Sequence, residues 1–482
     1  MGADSVSAVV EAFAGHLAER GLAVLRRDTH ISVILLAGDH AWKFRKPVDF
    51  GFLDFSTPAA RQASCEREVA LNARLAPGLY LGVEAIAGIE GAPAEPAVKM
   101  RRFDERELLS AQLDRGPLEA PRASALQTFV AELHREAAAA PPARGTSREV
   151  HEQAEAALLG IAPGLLDGGL QVRLAACLER THGALVMRHA QGHIRDCHGD
   201  LHAANVVWRD GHWQAFDCIE FNDALRFIDP ASDLAFLLMD LEHRGHALLA
   251  HRLLDAWLTA TGDFDALAVL PLYRAYRALV RAKVWCLGVA SAAPSQQLAA
   301  HREASALLAL AERHLALPPQ PTLVITHGVA ASGKSSQARQ LVETAGMVHL
   351  RADFERRRIA GLPLQARSNS AYGAGLYTGN HSRATYARLA SAAVSALLAG
   401  QSVVVDATFL YRAQRQHFHH LARLCGAAFR IKACEAPEGV LRERLRHRAA
   451  DGRDPSEATE DVVARQLAAR EPLGPEERAC VF

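Results

Sequence analysis

Hydrophobic residues recur at helical spacing over residues 5–20, where Val9, Val10, Phe13 and Leu17 share one side. After Gly21 the pattern shortens. Apolar runs at 24–25, 31–36 and 41–44, the last two separated by Gly38-Asp39, predict strands joined by a hairpin. A helix over 65–75 puts Leu71, Asn72 and Leu75 on its core stripe, and further strands at 82–89 and 97–103 flank a P-A-E-P turn. Residues 105–180 are mostly helical, broken at 139–146 and at Pro163-Gly164. Two apolar segments, 206–208 and 213–216, then meet across Asp210-Gly211 as a second hairpin, and 244–315 returns to helix. Leu317-Pro318-Pro319-Gln320-Pro321 is too stiff and helix-averse for a domain interior. Beyond it, strand patterns at 322–326, 348–353, 401–409 and 429–434 alternate with helices, as in a parallel sheet.

At 482 residues the chain exceeds one cooperative core, which fits a division into 1–317, a linker at 318–321, and 322–482. Charge balances at 54 basic and 54 acidic residues, so no general field draws in nucleic acid or an anionic membrane. The eight cysteines include no C-x-x-C pair, which fits free thiols rather than a zinc cluster. M-G-A-D-S opens the sequence without the apolar run of a secretory signal, and no segment has membrane-spanning length; the expectation is a cytoplasmic protein with no membrane contact.

Chemistry concentrates at 198–220, H-G-D-L-H-A-A-N-V-V-W, the turn, and W-Q-A-F-D-C-I-E. Asp200 and Asn205 precede the hairpin and Asp217 follows it, so three oxygen ligands can converge, as Mg²⁺ and a nucleotide require. Protein kinases carry H-R-D-x-x-x-x-N and then a metal-binding aspartate. The stretch resembles the aminoglycoside and small-molecule phosphotransferases, relatives of the protein kinases. That resemblance implies a bilobal α+β fold, an N-lobe of about 1–100 and a C-lobe of about 101–317. It also implies Asp200 as general base, Asn205 and Asp217 as Mg²⁺ ligands, and Lys43 on the ATP phosphates. Lys43 should pair with Glu66 or Glu68, which point to different faces; Glu68 shares the core stripe. Met100 is implied at the hinge beside adenine. No G-x-G-x-x-G precedes Lys43, so the amides and two hydroxyls of Thr29 to Ser32 are expected to cover the phosphates. A rival reading makes His198, Asp200, His202 and Asp217 the ligands of a metal-dependent hydrolase, but it leaves Asn205 and Lys43 unused.

A second motif, G-V-A-A-S-G-K-S at 328–335, follows a strand and opens a helix, as a phosphate-binding loop must. Gly328, Ser332, Gly333 and Ser336 belong to the cradle, Lys334 reaches the β- and γ-phosphates, and Ser335 joins the Mg²⁺ shell. Asp353 and Asp406 close two other strands. The layout resembles P-loop small-molecule and polynucleotide kinases, including gluconate-kinase-like enzymes. By that resemblance Asp353 activates an acceptor hydroxyl, Asp406 serves Mg²⁺, and Arg444 and Arg448, with Arg453 behind them, close a lid at about 440–460. The basic run Arg356, Arg357, Arg358 would face an anionic acceptor or solvent.

The whole chain resembles bacterial fusions of an aminoglycoside-phosphotransferase-like domain with a P-loop ATP-binding kinase-like domain. The implied function is ATP- and Mg²⁺-dependent phosphoryl transfer to a small, sugar-like hydroxyl compound, with a second kinase attached. Alternatives are a regulatory ATP-binding or ATPase module in one half and, lower, a polynucleotide-end kinase with a nucleic-acid partner. A dedicated aminoglycoside enzyme should offer an acidic acceptor face. Glu220, Asp223 and Asp240 are the acidic residues near the first site that bear on this.

Overall fold

The structure is a computed structural model describing residues 2–29, 31–49, 53–87, 94–288, 293–364, 378–451 and 458–482. It divides into two compact units, Met1–His246 with Leu272–His314, and Ala247–Pro271 with Leu315–Phe482.

In the first unit, α1 (Gly2–Glu19) precedes the strands β1 (Val24–Asp28), β2 (Ser32–Ala37) and β3 (His40–Arg45). Helix α2 (Pro58–Asn72), β4 (Tyr80–Ile86) and β5 (Glu95–Arg101) follow, and the five strands form an antiparallel sheet in the order β1-β2-β3-β5-β4. Strand alternation decides what β3 does. Trp42 and Phe44 join Val9, Val10, Val33 and Leu35 in the core under α1. The alternate residues, Lys43 between them and Arg45 after Phe44, therefore emerge on the opposite face, toward α2.

The helices α3 (Leu109–Arg115), α4 (Ala120–Glu136), α5 (Ser147–Ala156) and α6 (Gly168–Ala190) lead to β6 (Arg195–Asp196) and the hairpin β7 (Val206–Arg209) and β8 (His212–Ala215). Asp210 and Gly211, at φ +53° and +83°, form the tight turn that such a hairpin needs. β9 (Phe227–Ile228) pairs with β6 and hands the chain to α7 (Pro230–His243), in which every residue from Pro230 to Leu241 is buried. This helix is the unit's central pillar. Asp229 caps it, accepting the Ala231 N–H at 2.9 Å, and receives the buried Arg188 fork at 2.5 and 2.9 Å.

α8 (Ala247–Thr261) belongs to the second unit, although α9 (Leu270–Gly288) and α10 (Pro294–Leu315) after it lie mainly in the first. Helical periodicity does not name a helix's partner, so the sequence offered no sign of this. The second unit continues with β10 (Thr322–His327), α11 (Lys334–Ala345), β11 (Val348–Arg351), α12 (Ala352–Ile359) and α13 (Gly379–Leu398). It ends with β12 (Val403–Asp406), α14 (Arg412–Leu424), β13 (Ala428–Ala433), α15 (Glu438–Asp451), α16 (Glu460–Ala469) and α17 (Pro475–Arg478). The four strands are parallel, in the order β11-β12-β10-β13, and the central β10 and β12 are almost wholly buried. Asp353, expected at a strand end, sits instead in the first turn of α12, because β11 stops at Arg351.

Replacing Asp229 with alanine removes the α7 cap and leaves the Arg188 guanidinium buried without its carboxylate. The expected loss is about 3–5 kcal/mol of stability, read as a lower denaturant midpoint for the first unit.

Candidate active sites

The first site is built around a buried charge cluster. Lys43 Nζ donates to Glu68 Oε1 at 2.9 Å and to Asp217 Oδ1 at 2.5 Å. Of the two candidate glutamates, Glu68 is thus the one that meets Lys43. Arg45 joins Glu68 Oε2 at 2.5 Å and also binds Glu220, whose Oε1 accepts from Ser64 Oγ at 3.2 Å. Lys43, Arg45, Glu68 and Glu220 are all less than a tenth exposed. Burial opposes the charge on Lys43, but Asp217 and Glu68 outweigh it and hold the ammonium's pKa above the ordinary lysine value. Burial pushes the Glu220 carboxyl up, against the pull of Arg45.

Arg45 was missed in the sequence. The available signal was its two-residue offset from Lys43, which puts both on one strand face. The expectation for Thr29 to Ser32 needs correction. Thr29 Oγ1 bonds the Ser32 N–H at 2.9 Å, and Ser32 Oγ accepts from Arg45 at 3.1 Å. Both hydroxyls are turned to internal partners by the need to satisfy Arg45 and the bend. His30, between them, lies outside the described residues.

Asp200, Asn205 and Asp217 converge as the hairpin predicts. Asn205 Nδ2 donates to Asp200 Oδ2 and to its carbonyl, each at 3.0 Å, which leaves the amide oxygen for another ligand. Asp217 follows β8 in a left-handed conformation at φ +62°, and its N–H donates to Tyr80 Oη at 3.1 Å. The loop is held from behind. Asp233 accepts the His198 and Gly199 N–H groups at 3.1 and 2.9 Å, Asp240 accepts that of Ala203 at 2.9 Å, and Arg277 donates to the Gly199 carbonyl at 2.9 Å. Burial works against the Asp200 charge, yet His202, Arg281 and His198 outweigh it and hold the carboxyl below its usual range. Met100 lies within β5, between Ala41 and Tyr80 in register, and packs with Phe103 and Phe216 against a small apolar cluster.

The hydrolase reading finds no such support. His198 Nε2 bonds the Phe216 carbonyl at 2.9 Å and its Nδ1 accepts the Asp200 N–H at 3.2 Å, so neither nitrogen is left for a metal. Among the described residues no group of three His, Cys, Asp or Glu could hold a metal. A carboxylate and an amide oxygen, with phosphate oxygens completing the shell, suit Mg²⁺ instead.

In the second unit the segment 328–335 wraps from β10 into α11. A Cβ on Gly328, at φ +150°, would stand 2.3 Å from the Cys434 carbonyl oxygen, so only glycine fits. Gly333 precedes α11 without any side-chain cap, which leaves the first-turn amides for an anion. Lys334 Nζ donates to the Val329 carbonyl at 2.7 Å. His349, whose Nε2 stands 3.5 Å from Asp406 Oδ2, with Ser335 and Lys334 beside it, holds the Asp406 carboxyl below its usual range against the effect of burial. Burial, with Asp406 nearby, pushes the Asp353 carboxyl up against the pull of Arg356, whose Nη1 is 3.2 Å away. The topology makes the meeting possible, since β12 lies between β11 and β10, Asp406 ends β12, and Asp353 sits in the first turn of α12, just past the carboxyl end of β11.

A cavity of about 800 Å³ opens beside the loop, lined by Ser332, Gly333, Ser336, Cys434, Arg444 and His447. Arg444 Nη1 donates to the Ala331 carbonyl at 3.1 Å. Arg453 and the side chain of Arg448 lie outside the described residues. Gln466, which the sequence did not single out, accepts the Ala330 N–H at 2.7 Å. The basic run of α12 points to structure: Arg357 is buried and donates to the Leu364 carbonyl at 3.1 Å, and Arg358 donates to that of Thr259 at 2.6 Å.

The sequence profile of the phosphotransferase enzyme family matches residues 24–279, and that of the AAA domain matches 323–473. Uncharacterised proteins of Mycobacterium tuberculosis H37Rv and Mycobacterium bovis are each 32% identical over 456 residues, covering 92% of this chain and 89% of their own. A choline/ethanolamine kinase family protein of Mesorhizobium loti is similar at 15% identity over 64% of this chain and 99% of its own, with a TM-score of 0.41. A gluconokinase of Sinorhizobium meliloti 1021 is similar at 21% identity over 34% and 81%, with a TM-score of 0.24. The architecture is an α+β phosphotransferase fold followed by a separate α/β P-loop domain.

Arg45→Met takes from the buried Glu220 the guanidinium bound to it, leaving the Ser64 hydroxyl on the same oxygen, and a stability loss of about 3–5 kcal/mol is expected in chemical denaturation, with Arg45→Lys losing less. Gly328→Ala is expected to abolish nucleotide binding by the second unit, measured by titration with a fluorescent ATP analogue, while the first unit still binds.

Proposed function

The chain belongs to the phosphotransferase enzyme family, and from that premise we propose that its first unit transfers the γ-phosphoryl group of ATP to the hydroxyl of a small, sugar-like molecule. The observation that carries this is the convergence of Asp200, Asn205 and Asp217 beside Lys43, itself fixed by Glu68. Lys43 holds the phosphates. Asn205 and Asp217 are the residues that would hold Mg²⁺, which supplies positive charge to the β- and γ-phosphate oxygens when bound. Asp200 orients the acceptor hydroxyl and accepts its proton as the oxygen attacks phosphorus. The bond from phosphorus to the bridging oxygen breaks, and its electron pair leaves on ADP.

The depressed Asp200 carboxyl suits a loose transition state, in which the hydroxyl proton moves late and in-line positioning matters more than basicity. Apolar Met100, Phe103 and Phe216 offer the base a surface to rest on.

The second unit is read as a P-loop kinase. Its loop amides, Lys334 and Ser335 take the triphosphate, Arg444 reaches from α15, Asp406 assists the metal, and Asp353 serves as base. A raised carboxyl pKa suits that last task, since it makes the carboxylate a better proton acceptor near neutrality. A regulatory ATPase role for this unit is the second reading.

Incubation with γ-labelled ATP, Mg²⁺ and a metabolite extract separates these readings. Asp200→Asn is expected to cut one set of labelled products by about 10²–10⁴-fold, and Lys334→Ala a different set. Products unchanged in both variants would refute transfer at either site. Label released only as inorganic phosphate from the second site would favour the regulatory reading.

A further inference from the structure

An acceptor hydroxyl in line with the γ-phosphoryl group must lie beside Asp200, so the charges around Asp200 select what can sit there. His202 Nε2 is 3.4 Å from Asp200 Oδ2. The same ring accepts the Ala204 N–H on Nδ1 at 3.3 Å, which assigns its proton to Nε2. Arg281 Nη1 stands 3.5 Å from that Nε2, a donor facing a donor. Half-buried and on the Asp200 side of α9, the Arg281 guanidinium acts on the Asp200 carboxylate through its charge but makes no direct ion pair among the described residues. Arg277, one turn earlier, differs: it is 4% exposed and committed to Gly199 and Ser232.

Asp200 apart, the nearby carboxylates among the described residues are committed, Asp217 to Lys43. Glu220 turns inward to Arg45, and Asp223 pairs with Arg67 and Arg226. Asp240 holds the Ala203 amide and Arg244, Asp233 holds two loop amides, and Asp229 holds Arg188. A polycationic acceptor would meet a guanidinium without a direct ion pair and, beyond Asp200 itself, no uncommitted acid among these. One turn beyond Arg281 on α9, Trp285 is 38% exposed.

We infer that the first site takes an acceptor bearing an anionic group, a carboxylate or a phosphate, near the hydroxyl that is phosphorylated, and that Arg281 binds that group through its planar fork. This rests on the phosphotransfer reading of the first site. The bonds made and broken are those of the transfer, with Arg281 supplying binding alone.

The test supplies γ-labelled ATP and Mg²⁺ with four acceptor sets: gluconate and glycerate; glycerol 3-phosphate and glucose 6-phosphate; glucose and glycerol; kanamycin and choline. A metabolite extract split into anionic, neutral and cationic fractions runs beside them. First-site transfer is the part lost in Asp200→Asn. Transfer is expected to the anionic sets or fraction, and the first two sets tell carboxylate from phosphate. For such an acceptor Arg281→Met should raise KM by about tenfold or more, as loss of a charge-assisted bond requires, with Arg281→Lys recovering part. Transfer confined to neutral or cationic acceptors overturns the inference. So does a loss in kcat with acceptor KM unchanged, which would place Arg281 on the γ-phosphoryl group instead. ATP turnover that needs Asp200 but labels no acceptor also counts against it, whereas no Asp200-dependent turnover at all removes the phosphotransfer reading beneath it.

Discussion

Two cations and three carboxylates meet where the five-stranded sheet, α2 and the segment after β8 come together, and the first site depends on that meeting. Glu68 receives both Lys43 and Arg45, Asp217 receives Lys43, and Glu220 receives Arg45. A charge removed from water is tolerated only when its partners are complete. Displacing any one element would leave an ion stranded, so the cluster allows one arrangement of Lys43, α2 and Asp217. Its specificity comes from what would go wrong otherwise, more than from net stabilisation.

The second unit meets the same demand by different means. It orders its P-loop with backbone: a glycine with no room for a side chain, uncapped amides at a helix start, and aspartates at the end of β12 and in the first turn of α12. Few long-range ion pairs are needed at the loop itself. Its two carboxylates also shift in opposite senses, Asp406 held down by His349, Ser335 and Lys334 despite burial, Asp353 pushed up by burial. Separated ionisation of that kind lets one carboxylate stay charged while the other exchanges a proton.

What the sequence revealed follows from how local each signal was. The spacing of Asp200, Asn205 and Asp217 around a turn, and the strand-loop-helix context of Lys334, are encoded within some twenty residues, and both assemble in the structure. Arg45 was legible only through strand alternation, since its partners Glu68 and Glu220 lie far along the chain. The acceptor side was hidden for the same reason. Whether Glu220, Asp223 and Asp240 form an acidic face depends on Arg45, Arg67, Arg226 and Arg244, and composition cannot pair them. Pattern analysis also placed Asp353 on a strand, because an apolar run followed by an aspartate does not show where hydrogen bonding ends.

The placement of α8 has an evolutionary reach. The chain leaves the first unit after α7, contributes Ala247–Pro271 to the second, returns for α9, and departs again near α10. A recombination event cutting once at the proline-rich segment would sever α8, with Leu253 and Trp257 on its buried face, from the α11 and β11 against which it packs. Lineages carrying this weave would be expected to inherit, lose or duplicate both halves together, whereas an ordinary tandem of modules can be shuffled piece by piece.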